Sequence, residues 1–236
     1  MSGRILLVVI LFAATATLPA AAETLDTQPL IDFTATRFTG EPWQLNSGGG
    51  TVTAEWFINA PPDTPSFDAR GVFEFDIQSI PAGSTITSAT LNLEVVSFQQ
   101  DTDPPYLEFF GYVGNGSADL TDPDETVGAQ KIGSYAPLTF ALGPISVPLA
   151  TDYIQSIAHE AFLGIVMWQS VDKASVDVSS LENAGSGAPA TLSITFAPPV
   201  PEPSSLAALC GMALAAAALA CRRRHRGRAA RGDQPG

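Results

Sequence analysis

Cysteine, histidine and positive charge are scarce in this chain, and where the few examples fall excludes whole classes of chemistry. The two cysteines, Cys210 and Cys221, both lie in an apolar stretch near the C-terminus. Residues 23–199 therefore contain neither a disulfide nor a thiol nucleophile, and must hold together by burial alone. His159 is the only histidine in that part, and it sits beside Glu160. A zinc centre needs three or four His, Cys or carboxylate ligands, which argues against one here. Any Ser-His-Asp arrangement would have to use His159, which reads instead as an exposed residue at a helix end. Of the 11 basic residues, only Arg37, Arg70, Lys131 and Lys173 fall within 23–199, against 22 acidic ones. That part is thus near −18, more acidic than the −13 of the whole chain. Such a surface repels phosphate backbones and excludes nucleic acid as a partner.

The two ends have a different composition. Residues 1–22 read as a secretory signal peptide: Arg4 gives the positive start, Ile5 to Phe12 opens the apolar run, and Ala20-Ala21-Ala22 gives a small-residue site with cleavage before Glu23. Signal peptidase is the implied processing enzyme. At the other end, a Pro-rich linker over 198–203 leads into an apolar segment, 204–221. At about 1.5 Å per residue such a helix is about 27 Å long and just reaches across a hydrocarbon core of about 30 Å. Residues 222–236 follow as an Arg-rich cytoplasmic tail, with Arg222, Arg223, Arg224, Arg226 and Arg228 as a stop-transfer cluster. The expected topology is a single pass through the bacterial inner membrane, with everything before Val200 outside.

The order of parts in this tail is particular. Val200-Pro201-Glu202-Pro203, then a short Ala/Leu/Gly-rich helix, then an Arg-rich end closely resemble the PEP-CTERM sorting signal. The resemblance implies exosortase as the processing partner, cleavage at or near Pro201-Glu202-Pro203, and only a transient stay in the membrane before the cell surface or the medium. The segment itself agrees with that. It is built largely of alanine and is marginal as a permanent anchor, and the prolines keep the preceding backbone extended, as a protease needs its substrate to be.

Residues 23–197 read as one all-β exported domain. Phe73, Phe75 and Ile77 alternate with Val72, Glu74 and Asp76, the period of a half-buried strand. Pro81-Ala82-Gly83-Ser84 is a turn, after which Ala89, Leu91, Leu93 and Val95 share a face. Strand-like runs recur at 51–58, 106–113, 162–168 and 190–196. One helix is expected over 151–161, capped by Thr151 or Asp152, with Ile154, Ile157 and Ala158 as its apolar stripe. The expected architecture is an antiparallel sandwich of eight to ten strands with Phe73, Phe75, Leu91, Leu93, Ile165 and Phe196 inside.

A second resemblance starts at Arg70. The run Arg70-Gly71-Val72-Phe73-Glu74-Phe75-Asp76-Ile77, then Ser79 to Ile86 with its Pro-Ala-Gly turn, then Ser88 to Leu93, looks like the central strand pair of the DNRLRE domain family. Ile145 to Met167, Ser180-Leu181-Glu182 and Pro189 to Phe196 are similar to the family's later elements. The resemblance implies a jelly-roll β-sandwich related to carbohydrate-binding modules.

Binding chemistry is sparser. Asp101 and Asp103, and Asp122 and Asp124, place oxygen ligands two apart, and a single structural calcium is the only cofactor these suggest; otherwise none is expected. Continuing the first pair as an EF-hand loop puts Tyr106 where the turn glycine belongs, and the second pair is a Pro-stiffened turn in an acidic loop. Trp43, beside Gln44 and Asn46 and ahead of Gly48-Gly49-Gly50, is the loop-borne candidate for stacking on a sugar, whereas Trp56 and Trp168 lie in strand-like runs that suit a core. Acids are plentiful, yet no spacing singles out a catalytic pair. The reading is a non-catalytic surface or matrix protein that grips extracellular polysaccharide. The alternatives are an exported hydrolase of such polymers and a purely structural surface protein.

Overall fold

The structure is a computed structural model that describes residues 21–46, 50–57, 66–100, 103–126, 130–136, 141–182, 187–200 and 211–213. Residues 21–198 make one unit; residues 1–20 and 199–236 belong to another. Most of the expected signal peptide, Pro201-Glu202-Pro203 and the arginine cluster lie outside the described residues. Of the 204–221 segment, Gly211, Met212 and Ala213 are described, and they are helical and exposed. Among the described residues, no helix is long and apolar enough to cross a membrane.

Twelve strands in 21–198 join into one antiparallel sheet that curls on itself. The count exceeds the eight to ten expected, because three strands precede Thr51, where alternation singles out none. The first four strands are β1 (Glu23–Thr27), β2 (Pro29–Phe38), β3 (Gln44–Asn46) and β4 (Thr51–Phe57). β5 (Phe67–Asp76), β6 (Thr85–Gln99), β7 (Leu107–Val113) and β8 (Gln130–Tyr135) follow. β9 (Gly143–Pro148), β10 (Phe162–Gln169), β11 (Ala174–Ser179) and β12 (Thr191–Ala197) complete the sheet. Hydrogen bonding runs β1-β12-β6-β11-β4-β5-β10-β7-β8, with β2 on β5, β3 on β2 and β9 on β6. β1 begins at Glu23, the residue after the expected signal cleavage.

Alternation does what it was expected to do in the core. Phe73, Phe75, Leu91 and Ile165 are fully buried, and Leu93 and Phe196 nearly so. They join one cluster with Leu107 and Phe109 of β7 and with Val176, Val178, Leu192 and Ile194 of β11 and β12, so the two arms of the curl share a single interior. β6 keeps its apolar side inward over 15 residues by using irregularities. The register shifts opposite Thr195/Phe196 and again opposite Asp177/Val178. Each extra residue flips the face: Ile86 and Ala89 both point inward across the first, Val95 and Phe98 across the second.

The turn before β6 forms as its residues dictate. Gly83 takes φ +83°, a conformation nearly closed to other residues, and the Ser84 N–H closes the turn on the Pro81 carbonyl at 3.0 Å. The helix α1 is shorter than expected, Thr151–Ile157. Its cap is Ala150 rather than Thr151 or Asp152, and no side chain caps it. Burial of Ile154 and Ile157 against the core holds this short helix where propensity would not. Exposed His159 and half-buried Glu160 follow it, paired at 3.1 Å.

Candidate functional site

The sheet turns sharply at β5. One edge of β5 takes β2 along its whole length; the other takes β4 at Phe67–Ala69 and β10 from Gly71 to Asp76. Two strands sharing one edge must diverge, and β4 leaves with β11 while β10 stays with β7. A trough opens on the solvent side of that corner, between β2–β3 and β4–β11.

Strand periodicity decides what faces it. In β4, Val52 and Ala54 point into the core, which leaves Thr53 and Glu55 on the trough side. In β11, Val176 and Val178 point inward and Ser175 and Asp177 outward. β2 contributes Thr34 and Thr36, β3 contributes Asn46, and Phe67 supplies an aromatic ring. This end of the trough measures about 270 Å³. A second hollow of about 400 Å³ shares Thr34 and Asn46 with it and continues to Asp32, Ser180 and Glu182. The first end is lined mainly by hydroxyl, amide and carboxyl groups, whereas the second adds Phe33, Leu45, Val52 and Ala118; no basic side chain is among the described lining residues of either.

The carboxyls differ in their surroundings. Asp177 is held at both oxygens: the Thr53 hydroxyl donates to Oδ1 at 2.6 Å and the Ser97 hydroxyl donates to Oδ2. Glu55 is pushed above the usual carboxylate range by burial first and by the Asp177 charge second. Asp32 is raised from its ordinary value of 3.8 to about 6, chiefly by burial; Glu182 adds to this, while the Leu181 N–H, 2.9 Å from Oδ2, opposes it.

A pH effect follows from Asp32. Between pH 3.8 and about 6 the native state keeps a proton that the unfolded chain has released. Stability from this group is therefore present in acid and lost as pH rises through that window. In metal-free buffer, thermal melts of wild type and Asp32→Asn should diverge across it, with the variant gaining on wild type as pH rises. Parallel curves would show that Asp32 titrates normally.

The aromatic and acidic residues singled out by sequence lie elsewhere. Trp43 is 5% exposed. Its indole N–H donates to Asp124 Oδ1 at 2.6 Å, and Arg37 and Arg70 stand 4.1 and 4.9 Å from its ring centroid. The expected open stacking face is therefore corrected: guanidinium groups occupy this ring, because the loop carrying Trp43 folds onto the outer side of β5. Gln44 is exposed on β3, and Asn46 lines the trough.

The calcium candidates are also engaged with protein. Asp124 pairs with Arg37 at 3.2 Å, and buried Asp122 accepts the Asp119 N–H at 3.1 Å. Asp122 and Asp124 form part of a 3-10 turn, Asp122–Thr126, whose Pro123 carbonyl accepts from Arg70 at 2.6 Å. Asp103 is exposed, and Asp101 lies outside the described residues. Among the described residues no three His, Cys, Asp or Glu side chains gather as a metal group. Trp56 and Trp168 meet edge to face at 6.3 Å.

The trough itself escaped sequence reading, although one signal was available. Thr51-Val52-Thr53-Ala54-Glu55 and Ser175-Val176-Asp177-Val178-Ser179 alternate small apolar residues with hydroxyls and acids, the pattern of a strand with a wet outer face. That two such faces adjoin is a matter of pairing.

Comparison with known proteins speaks to the tail. The model of the PEP-CTERM protein-sorting motif matches residues 199–224. That motif indicates an exported protein sorted by exosortase to the cell surface. No curated protein matches the chain.

Proposed function

We propose that this is a non-catalytic surface or matrix protein whose β-domain holds extracellular polysaccharide in the trough, after exosortase has removed its tail. The observation that carries the reading is the trough lining, in which Thr36, Asn46, Thr53, Ser175 and Asp177 present the donors and acceptors that sugar hydroxyls need. The curled antiparallel sheet with one shared core is compatible with a jelly-roll sandwich of the carbohydrate-binding type. With 18 excess acidic charges on residues 23–199, neutral polymers should bind more tightly than anionic ones.

Titration with a panel of neutral and acidic polysaccharides tests this. Asn46→Ala and Asp177→Asn should each weaken binding by about 1 kcal/mol, or about fivefold. Failure of every polymer to bind would leave a structural role.

A second reading, hydrolysis of the bound polymer, has one observation behind it. Glu55 and Asp177 are diagonal neighbours on paired strands, with Ser175 opposite Glu55 and Thr53 opposite Asp177. One carboxyl is raised and the other firmly hydrogen-bonded, a division that suits an acid and a base. Release of new reducing ends that Glu55→Gln abolishes would make the protein a hydrolase; binding without such release keeps the first reading.

The tail has its own test, mass spectrometry of the mature protein from its host. Cleavage near Pro201-Glu202-Pro203 predicts a chain that lacks Arg222 to Arg231. An intact C-terminus at Gly236 in the surface-located form would instead make residues 204–221 an ordinary anchor.

A further inference from the structure

We propose that Asp32, Ser180 and Glu182 form a divalent-cation site, of calcium type, at the Ser180 end of the trough. The site stands apart from the glycan reading, since it rests on two buried oxygens without a hydrogen-bond partner among the described residues. Asp32 is 8% exposed, and its Oδ1 has no hydrogen-bond partner. Ser180 is 3% exposed, and its Oγ has none either. Both residues line the hollow of about 400 Å³ that Glu182 also lines. Buried polar atoms are nearly always satisfied, so two orphans on residues that line one hollow call for a ligand.

The chemistry narrows what that ligand is. The Leu181 N–H holds Asp32 Oδ2 at 2.9 Å, which fixes the carboxylate and leaves Oδ1 as the acceptor to be filled. Glu182 lines the same hollow as Asp32, so two acids share it, and no basic side chain is among its described lining residues. A cation relieves both the missing partner and the like-charge repulsion at once. The donors are all oxygen, which selects a hard ion over zinc or copper. Calcium tolerates an irregular shell of 6–8 oxygens completed by water, whereas magnesium demands near-ideal octahedral geometry. Ligands from two separate chain segments in an open hollow suit the former.

The structural consequence is a cross-link. Asp32 lies on β2 and Ser180 and Glu182 follow β11, 149 residues separating Asp32 from Leu181. In a domain without cysteine, an ion bridging these points closes a long loop of chain.

Calorimetry with calcium chloride on the full chain in mild detergent, chelator-treated and at 0.15 M KCl, tests the site. One saturable equivalent is expected, together with a melting temperature that rises with calcium, and magnesium should bind at least tenfold more weakly. Asp32→Asn should abolish binding while melting no lower than metal-free wild type, because the amide removes a buried charge. Glu182 is exposed, so Glu182→Gln keeps the fold and should weaken calcium at least tenfold. Asp26→Asn, on the exposed side of β1, should bind as wild type does. Absence of a saturable equivalent, or equal affinity in wild type and Glu182→Gln, would overturn the proposal, leaving hydration water at the two oxygens or diffuse attraction to an acidic surface.

Discussion

Replacing Arg70 with methionine should lower the unfolding free energy of the β-domain by about 3–5 kcal/mol. Arg70 is 7% exposed and Asp68, two residues away on the same face of β5, is 3% exposed. The guanidinium grips that carboxyl through Nε and Nη2, the latter at 2.8 Å, while Nη1 donates to the Pro123 carbonyl at 2.6 Å. Methionine fills similar space, yet it strands Asp68 in a buried setting and frees the 3-10 turn from the strand beneath. Arg37 also pairs with Asp68 at 3.6 Å, but this partly exposed ion pair is too solvated to take over. Urea titration of wild type, Arg70→Met and the double variant with Asp68→Leu measures the effect. The double variant should recover much of the loss, since the cost lies in the orphaned partner. A single variant as stable as wild type would mean that water solvates Asp68 freely.

Gly164→Ala should cost about 3 kcal/mol, the upper part of the range for an added group in a packed region. Gly164 pairs with Glu74 on one side and Tyr112 on the other, and a Cβ there would overlap the Tyr112 ring. The ring has little freedom to move aside. Its hydroxyl donates to Glu74 Oε1 at 3.0 Å, and Glu74, fully buried, also accepts the Gly116 N–H at 2.6 Å. A shift of Tyr112 therefore disturbs the loop after β7 as well as the cluster of Val72, Tyr112 and Val166. Thermal unfolding reads the loss, and Gly164→Ala should cost much less when added to a Tyr112→Ala background, where the space is already clear. An unchanged melting temperature in the Gly164→Ala variant would show that the ring relocates at little cost.

Both effects arise on the outer face of β5, which the sequence presents as ordinary strand. Asp68, Arg70, Val72 and Glu74 follow period two, and that period was readable. Their burial was not, because it depends on the chain after Val113 folding back to bring Pro123 and Gly116 onto the strand. Trp43 illustrates the same limit. Its Gly-rich, amide-bearing neighbourhood suggested an open loop, yet two of the domain's few cations and Asp124 close over it. The cations come from β2 and β5 and the acid from the distant turn, so no local window holds the answer.

Sequence by itself determined the features written in local order or periodicity. These are the all-β class, the inward set of Phe73, Phe75, Leu91, Leu93, Ile165 and Phe196, the Gly83 turn and the sorting motif over 199–224. Each depends on residues a few positions apart: side chains two apart share a face, a positive φ selects glycine, and a sorting signal is read as a linear string. Tertiary structure alone decided the trough, the engagement of Trp43 and Asp124, and the meeting of Asp32 with Ser180 and Glu182. Periodicity says which side of a strand a residue occupies and never which strand lies alongside, so sites assembled across β2, β4 and β11 exist only once the sheet has curled.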